Sequence, residues 1–107
     1  MYSVTIIVPF YNQENIAEHT IRSLLKQEYP EENLNFIFID DGSKDGTTKI
    51  LKKFVQDSRI TLIIFPENRG RSASRNAGIA SANSELIGFL DGDMTVEPNW
   101  LQLLINK

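Results

Sequence analysis

Four short apolar runs, each followed by a polar break and then by helical spacing, constrain this chain more than any other feature. They are residues 4–9 (V-T-I-I-V-P), 34–39 (L-N-F-I-F-I), 60–65 (I-T-L-I-I-F) and 86–90 (L-I-G-F-L). Runs of this length, rich in β-branched and aromatic residues and without regular alternation, read as strands buried on both faces of a parallel sheet. Between them the period changes. Ala17, Ile21, Leu24 and Leu25 give a helix over residues 15–28 one apolar stripe. Thr47, Ile50, Leu51, Phe54 and Val55 fall at i, i+3, i+4, i+7 and i+8 of a second helix, whose start is marked by the oxygens of Ser43, Asp45 and Thr47. A third helix, residues 71–82, carries small residues at Ala73, Ala77, Gly78 and Ala80 that permit close approach to the sheet. Pro98 suits the first turn of a last helix, residues 99–105. The order β-α-β-α-β-α-β with short loops predicts an α/β fold, with a parallel sheet, right-handed crossovers and helices on both faces.

Bulk properties narrow the function classes. A chain of 107 residues is one domain, residues 1–107, and buries roughly two-thirds of its unfolded surface. No apolar run approaches the ~20 residues that span a bilayer, and the first residues lead straight into a strand with no secretory signal, so a cytoplasmic setting is expected. The absence of cysteine rules out disulfides, thiolate metal sites and a thiol nucleophile, and the single His19 rules out a histidine-rich metal site. Any metal must therefore be held by oxygen. A net charge of −3 without a basic stripe argues against a nucleic-acid partner. Local positive charge is concentrated in Arg69, Arg71 and Arg75.

In open α/β sheets the chemistry lies just beyond the carboxyl ends of the strands. The segment after the first strand, Pro9-Phe10-Tyr11-Asn12-Gln13-Glu14, contains no glycine, which excludes the G-x-G-x-x-G cradle of a dinucleotide-binding Rossmann domain. Tyr11 either packs against a base or fills the rim of the sheet. Asp40-Asp41 follows the second strand, where a carboxylate suits a ribose hydroxyl or the N–H of a base. For Asp40 and Asp45 a turn or capping role serves equally well. The run Asp41, Ser43, Asp45, Gly46 imitates the opening of a calcium loop, but Lys52 stands where that loop needs its bidentate Glu. Arg71 and Arg75, four apart, share a helix face near its positive end, a suitable place to meet a nucleotide or its phosphates. Asp91-Gly92-Asp93 closes the set. In an extended segment residues i and i+2 point the same way, so two carboxylates converge on one hard cation, Mg2+ or Mn2+, with Gly92 allowing the backbone bend. By itself Asp-Gly-Asp is also ordinary turn chemistry.

Taken in order and spacing, V-P-F-Y-N-Q-E, D-D-G-S-K-D-G-T, N-R-G-R-S-A-S-R-N-A-G-I-A-S-A and F-L-D-G-D resemble the nucleotide-binding half of a family 2 glycosyltransferase with the GT-A fold, a Rossmann-like sheet. The resemblance covers essentially the whole chain and implies strand order 3-2-1-4. It also implies roles by position. Pro9, Tyr11 and Glu14 line the base and ribose pocket, Asp41 meets the base edge, Asn68 and Arg75 flank the nucleotide, Asp91 contacts ribose or metal, and Asp93 is the principal metal ligand. The implied reaction transfers a sugar from a nucleotide-sugar, most often a UDP-sugar, to an acceptor hydroxyl, usually with inversion at the anomeric carbon, with Mn2+ or Mg2+ as cofactor. Members of this type continue for a hundred residues or more, with an acceptor-side general base and often a Q-x-x-R-W motif, and neither is found here. The expectation is a truncated chain that binds donor without efficient transfer, its general base lying beyond Lys107. The fourth strand is then an apolar edge that invites pairing with another copy, so a homo-oligomer is expected. The competing reading is a non-catalytic nucleotide-binding or self-assembling module with the same fold.

Overall fold

The computed structural model describes residues 1–106. The elements run β1 (Val4–Phe10), α1 (Ala17–Leu25), β2 (Leu34–Asp40), α2 (Thr47–Phe54), β3 (Ile60–Ile64), α3 (Arg71–Ser81), β4 (Leu86–Phe89) and α4 (Trp100–Ile105), with a single 3-10 turn at Glu31–Asn33. The strands form one four-stranded sheet in the order β3-β2-β1-β4. All pairings are parallel: Val4 lies beside Leu34 and Phe10 beside Asp40, Phe36 beside Ile60, and Val4 beside Leu86. The expected sheet is therefore the one that forms. No helix among the described residues is long and apolar enough to cross a membrane.

Alternate residues of the central strands feed two separate apolar layers, as the period of two requires. Val4, Ile6, Val8, Phe10, Leu34, Phe36 and Phe38 face Ala17, Ile21 and Leu24 of α1, Leu51 of α2 and Leu101 of α4. Within that layer Phe10 and Phe38 meet edge to face at 5.4 Å between centroids. On the other side Ile7, Ile37 and Ile39 pack with Phe65 against Ala73 and Ala77 of α3. Helices thus cover both faces.

The α3 contact is as close as its small residues suggest, though not through all of them. Ser74 and Gly78 are the buried positions, whereas Ala80 faces solvent. A Cβ on Gly78 would stand 2.5 Å from Ile7 Cγ2, and Ile7 is fully buried in the sheet. Ala in a helix interior gains up to about 1 kcal/mol over Gly, but overpacking a rigid core costs about 1–3 kcal/mol. We therefore expect Gly78→Ala to lower stability by roughly 1 kcal/mol, a fall of about 5 °C in the melting temperature, measurable by thermal denaturation.

Several boundaries differ from the sequence expectation. The first helix spans Ala17–Leu25 rather than 15–28, because Gln13 O accepts from both Ile16 N and Ala17 N and holds residues 13–16 as a turn. The second ends at Phe54, which leaves Val55 outside the apolar face and exposed.

Candidate functional site

Four loops leave the carboxyl end of the sheet, and they interlock. The β1–α1 and β2–α2 loops are joined by Asn12 N donating to Ser43 Oγ at 3.0 Å and Lys44 N donating to Asn12 Oδ1 at 2.9 Å. Asn12 has a φ of 51°, a left-handed conformation that Asn tolerates better than most residues. Gln13 N donates to Thr47 Oγ1 at 2.8 Å, and that hydroxyl donates to Asp45 Oδ1 at 2.6 Å. Asp45 also accepts from the amides of Thr47 and Glu14, so it caps α2 and ties the loops together. Desolvation acts to raise its pKa, but the Thr47 and Glu14 hydrogen bonds outweigh it and hold the carboxyl below its ordinary range. Asp40 is likewise a turn residue: fully buried, it accepts from Ser43 N and Thr48 Oγ1. Of the turn and capping roles weighed for them, Asp40 takes the turn and Asp45 the cap.

The β2–α2 loop abuts the β3–α3 loop at Gly42. Its φ is +70°, and a Cβ there would lie 2.3 Å from the backbone carbon of Glu67. Only glycine allows both the left-handed turn and the contact. At the fourth loop the requirement is different. Gly92 has no positive φ; a Cβ there would lie 2.6 Å from Pro9 O and 2.6 Å from Phe10 Cδ1. Asp91-Gly92-Asp93 forms a turn closed by Met94 N donating to Asp91 O at 3.1 Å, so the motif bends instead of running extended, and the glycine within it also serves close packing on the end of β1.

These loops enclose a cleft of about 210 Å3 lined by Pro9, Phe10, Tyr11, Gln13, Asp41, Asn68, Gly70, Arg71, Asp91 and Asp93. It lies where the chain order reverses, since β2 lies on one side of β1 and β4 on the other, the position at which α/β sheets take ligands. Of the residues singled out in the sequence, Pro9, Tyr11, Asp41, Asn68, Arg71, Asp91 and Asp93 line it together. Glu14 does not: its carboxylate accepts from Gly46 N at 3.2 Å and joins two loops. Arg75 also lies off the lining, over the Phe89 ring at 5.4 Å and with Nη2 3.8 Å from Asp91 Oδ1. Phe10 and Gln13 escaped sequence reasoning because the segment after Pro9 reads as a simple turn, whereas β1 continues to Phe10. Gln13 Oε1 and Arg75 Nε are buried without a hydrogen-bond partner.

Asp41 is the most constrained carboxylate. It is 4% exposed and accepts from Arg69 N at 2.7 Å, Gly70 N at 3.1 Å and Asn68 Nδ2 at 3.1 Å. An anion thus already sits against the amino end of α3, where amides and helix dipole favour negative charge. A phosphate finds that end taken. Asp91 and Asp93 differ: among the described residues neither carboxylate accepts a hydrogen bond, and their one ion-pair neighbour is Arg75. Two carboxylates lining one cleft, with no histidine or cysteine in that lining, match a hard divalent cation that completes its shell with phosphate and water. No group of three or more acidic or histidine ligands exists among the described residues, so the pair would depend on a ligand to complete the shell.

Comparison with known proteins gives this arrangement its family. The profile described as glycosyl transferase family 2 matches residues 5–107. The chain belongs to that family. As a family 2 chain it is 31% identical over 100 residues to the glycosyltransferase AglE of Haloferax volcanii, covering 92% of this chain and 33% of AglE. The S. aureus TarS 1-349 structure in complex with UDP-GlcNAc superposes with a TM-score of 0.88 at 27% identity, covering 97% of this chain and 30% of TarS. The mannosyltransferase PcManGT from Pyrobaculum calidifontis, in complex with GDP-Man and Mn2+, superposes with a TM-score of 0.83 at 29% identity, covering 88% of this chain and 28% of that one. The sheet is thus the Rossmann-like sheet of GT-A glycosyltransferases. The chain spans about a third of the length of AglE and 15–41% of the first curated relatives.

Proposed function

We propose that residues 1–107 are the nucleotide-sugar-binding half of a GT-A glycosyltransferase domain, taking a UDP-sugar and a divalent metal. The observation that carries this is the meeting of Asp41, Asp91 and Asp93 in one cleft at the reversal point of the sheet. Pro9 and Tyr11 supply an apolar wall and an aromatic face for the base. Asp41 offers an acceptor to a base N–H: a carboxylate has about four lone-pair sites, and the chain's own donors engage three of them. Asn68 holds Asp41 in place, and Arg71, the cation in the lining, faces the diphosphate. Arg75 steadies Asp91 and thereby flanks the nucleotide from outside the cleft. Asp93, with Asp91, would hold Mn2+ or Mg2+, which neutralises charge on the departing diphosphate when bound.

The lining contains no general base for an acceptor hydroxyl. Asp41 is engaged, Asp91 and Asp93 would be occupied by the metal, and Glu97 lies outside the lining. We therefore read the 107 residues as binding donor without efficient transfer, with inversion as the outcome that goes with the family once an acceptor side is present. The same lack of a base favours one other reading, a nucleotide-binding module without turnover. Calorimetry with UDP, UDP-GlcNAc and GDP-Man, each with MnCl2 and with EDTA, tests the binding reading: metal-dependent uptake of one nucleotide class is expected, and no uptake of any contradicts it. The same calorimetry on Asp93→Ala then separates the two readings: metal-dependent nucleotide binding that is lost in the variant supports the donor half, and no such binding in either protein supports the other.

Self-association belongs to the same proposal. β4 is an edge of four residues carrying no charge, and Ile87 and Phe89 on it are 39% and 41% exposed. Paired with a second copy, that edge would lose its open backbone groups. Light scattering over a concentration series should show a mass above the monomer that rises with concentration; a monomer throughout would remove this part of the reading.

A further inference from the structure

Helix α1 is amphipathic, yet its buried face contains a polar line that core packing does not call for. Thr20 is fully buried, and Gln27, just past the helix, is buried as well. Thr20 Oγ1 donates to Gly92 O at 3.2 Å. One turn on, Ser23 Oγ accepts from Val96 N at 3.2 Å. Gln27 Nε2 donates to Glu97 O at 2.7 Å, and Gln27 Oε1 accepts from Leu101 N at 2.9 Å. Positions 20, 23 and 27 follow helical spacing, so one stripe of α1 grips the segment that runs from the Asp-Gly-Asp motif into α4.

Of these three, Thr20 touches the motif itself. Gly92 is wedged from the opposite side, with no room for a Cβ against Pro9 O and Phe10 Cδ1. Its peptide is therefore held between the end of β1 and the Thr20 hydroxyl, and both flanking carboxylates project from this fixed point into the cleft. We propose that Thr20 is a positioning residue for the metal and diphosphate site, setting the spacing of Asp91 and Asp93 through the Gly92 carbonyl. This rests on the donor-site reading above. Groups that orient metal ligands without touching the ion are a general feature of metal sites.

The test compares wild type with Thr20→Val, which removes the hydroxyl at nearly constant volume, and Thr20→Ser, which keeps it. MnCl2 is titrated calorimetrically in the presence of UDP, UDP alone is titrated in EDTA, and thermal melts are recorded. Thr20→Val should weaken Mn2+ binding by about tenfold, the scale of outer-shell losses, with UDP binding in EDTA unchanged. Thr20→Ser should bind Mn2+ as wild type does. Where valine prevents folding, Thr20→Ala takes its place with the same expectation. Wild-type Mn2+ affinity in a folded variant without the hydroxyl overturns the proposal, as does equal weakening in Thr20→Ser. If wild type binds neither Mn2+ nor UDP, the donor-site reading falls and this proposal falls with it. If wild type binds both and only the Thr20 comparison fails, the donor site stands.

Discussion

Asp93→Ala is expected to abolish metal-dependent nucleotide binding while leaving the fold intact. The side chain is exposed and makes no hydrogen bond among the described residues, so its loss removes nothing the fold uses. Its loss does remove one of two anionic oxygens on the metal wall. Outer-shell changes alone typically cost 10–100-fold in metal affinity, so loss of a direct ligand from a pair should cost about 100-fold or more. In calorimetry the Mn2+ contribution to UDP binding should vanish, with the melting temperature unchanged. Asp91→Ala is a less clean probe. Asp91 is half-buried, and its removal also frees Arg75, whose Nη2 lies 3.8 Å away and whose Nε already lacks a partner.

Asp41→Ala should act mainly on stability. The carboxylate accepts from Arg69 N, Gly70 N and Asn68 Nδ2 in a site 4% exposed. Truncation leaves those donors unpaired beneath the start of α3. A fully buried donor left unsatisfied costs about 1–3 kcal/mol, and these hydrogen bonds are partly buried, with Asn68 and Arg69 themselves exposed residues. Because the loop can partly open to water, a total of roughly 3 kcal/mol is expected, or about 15 °C in melting temperature for a domain of this size. Asp41→Asn should fall between, since its amide oxygen still accepts while its NH2 opposes Asn68 Nδ2. Thermal and urea denaturation check both. An Asp41→Ala melting temperature equal to wild type would mean that the β3–α3 loop does not depend on this carboxylate.

The strands were legible because a strand buried on both faces announces itself by composition, as residues 4–9 and 34–39 do; their order followed from the family resemblance and not from the strands themselves. The place of Asp91 and Asp93 on the cleft was legible because they stop an apolar run abruptly at the carboxyl end of the sheet. Other features were not, for physical reasons. Glu14 resembles a pocket residue by position, yet what decides its place is the Gly46 amide, which is 32 residues away in sequence. Gly92 reads as a bend and does lie in a turn, but the second reason for its smallness, contact with Phe10 and Pro9 on β1, is not visible in the sequence. Thr20 and Gln27 carry no sequence signal, because a polar residue within an apolar stripe looks like a flaw in the stripe until its partner loop is in place. Val55 fits the helical period but lies past the point where α2 ends. Val55 apart, the missing information is a contact between segments distant in sequence, which periodicity does not encode.

Nucleotide and metal are proposed to share one cleft, the metal at Asp91 and Asp93. The most direct measurement is amide nuclear magnetic resonance of the 15N-labelled chain with UDP and substoichiometric Mn2+. Paramagnetic broadening should centre on residues 91–93, with UDP-dependent shifts at Tyr11, Asp41 and Gly70. Broadening spread over the other acidic residues, or UDP shifts with none near residues 91–93, would contradict it.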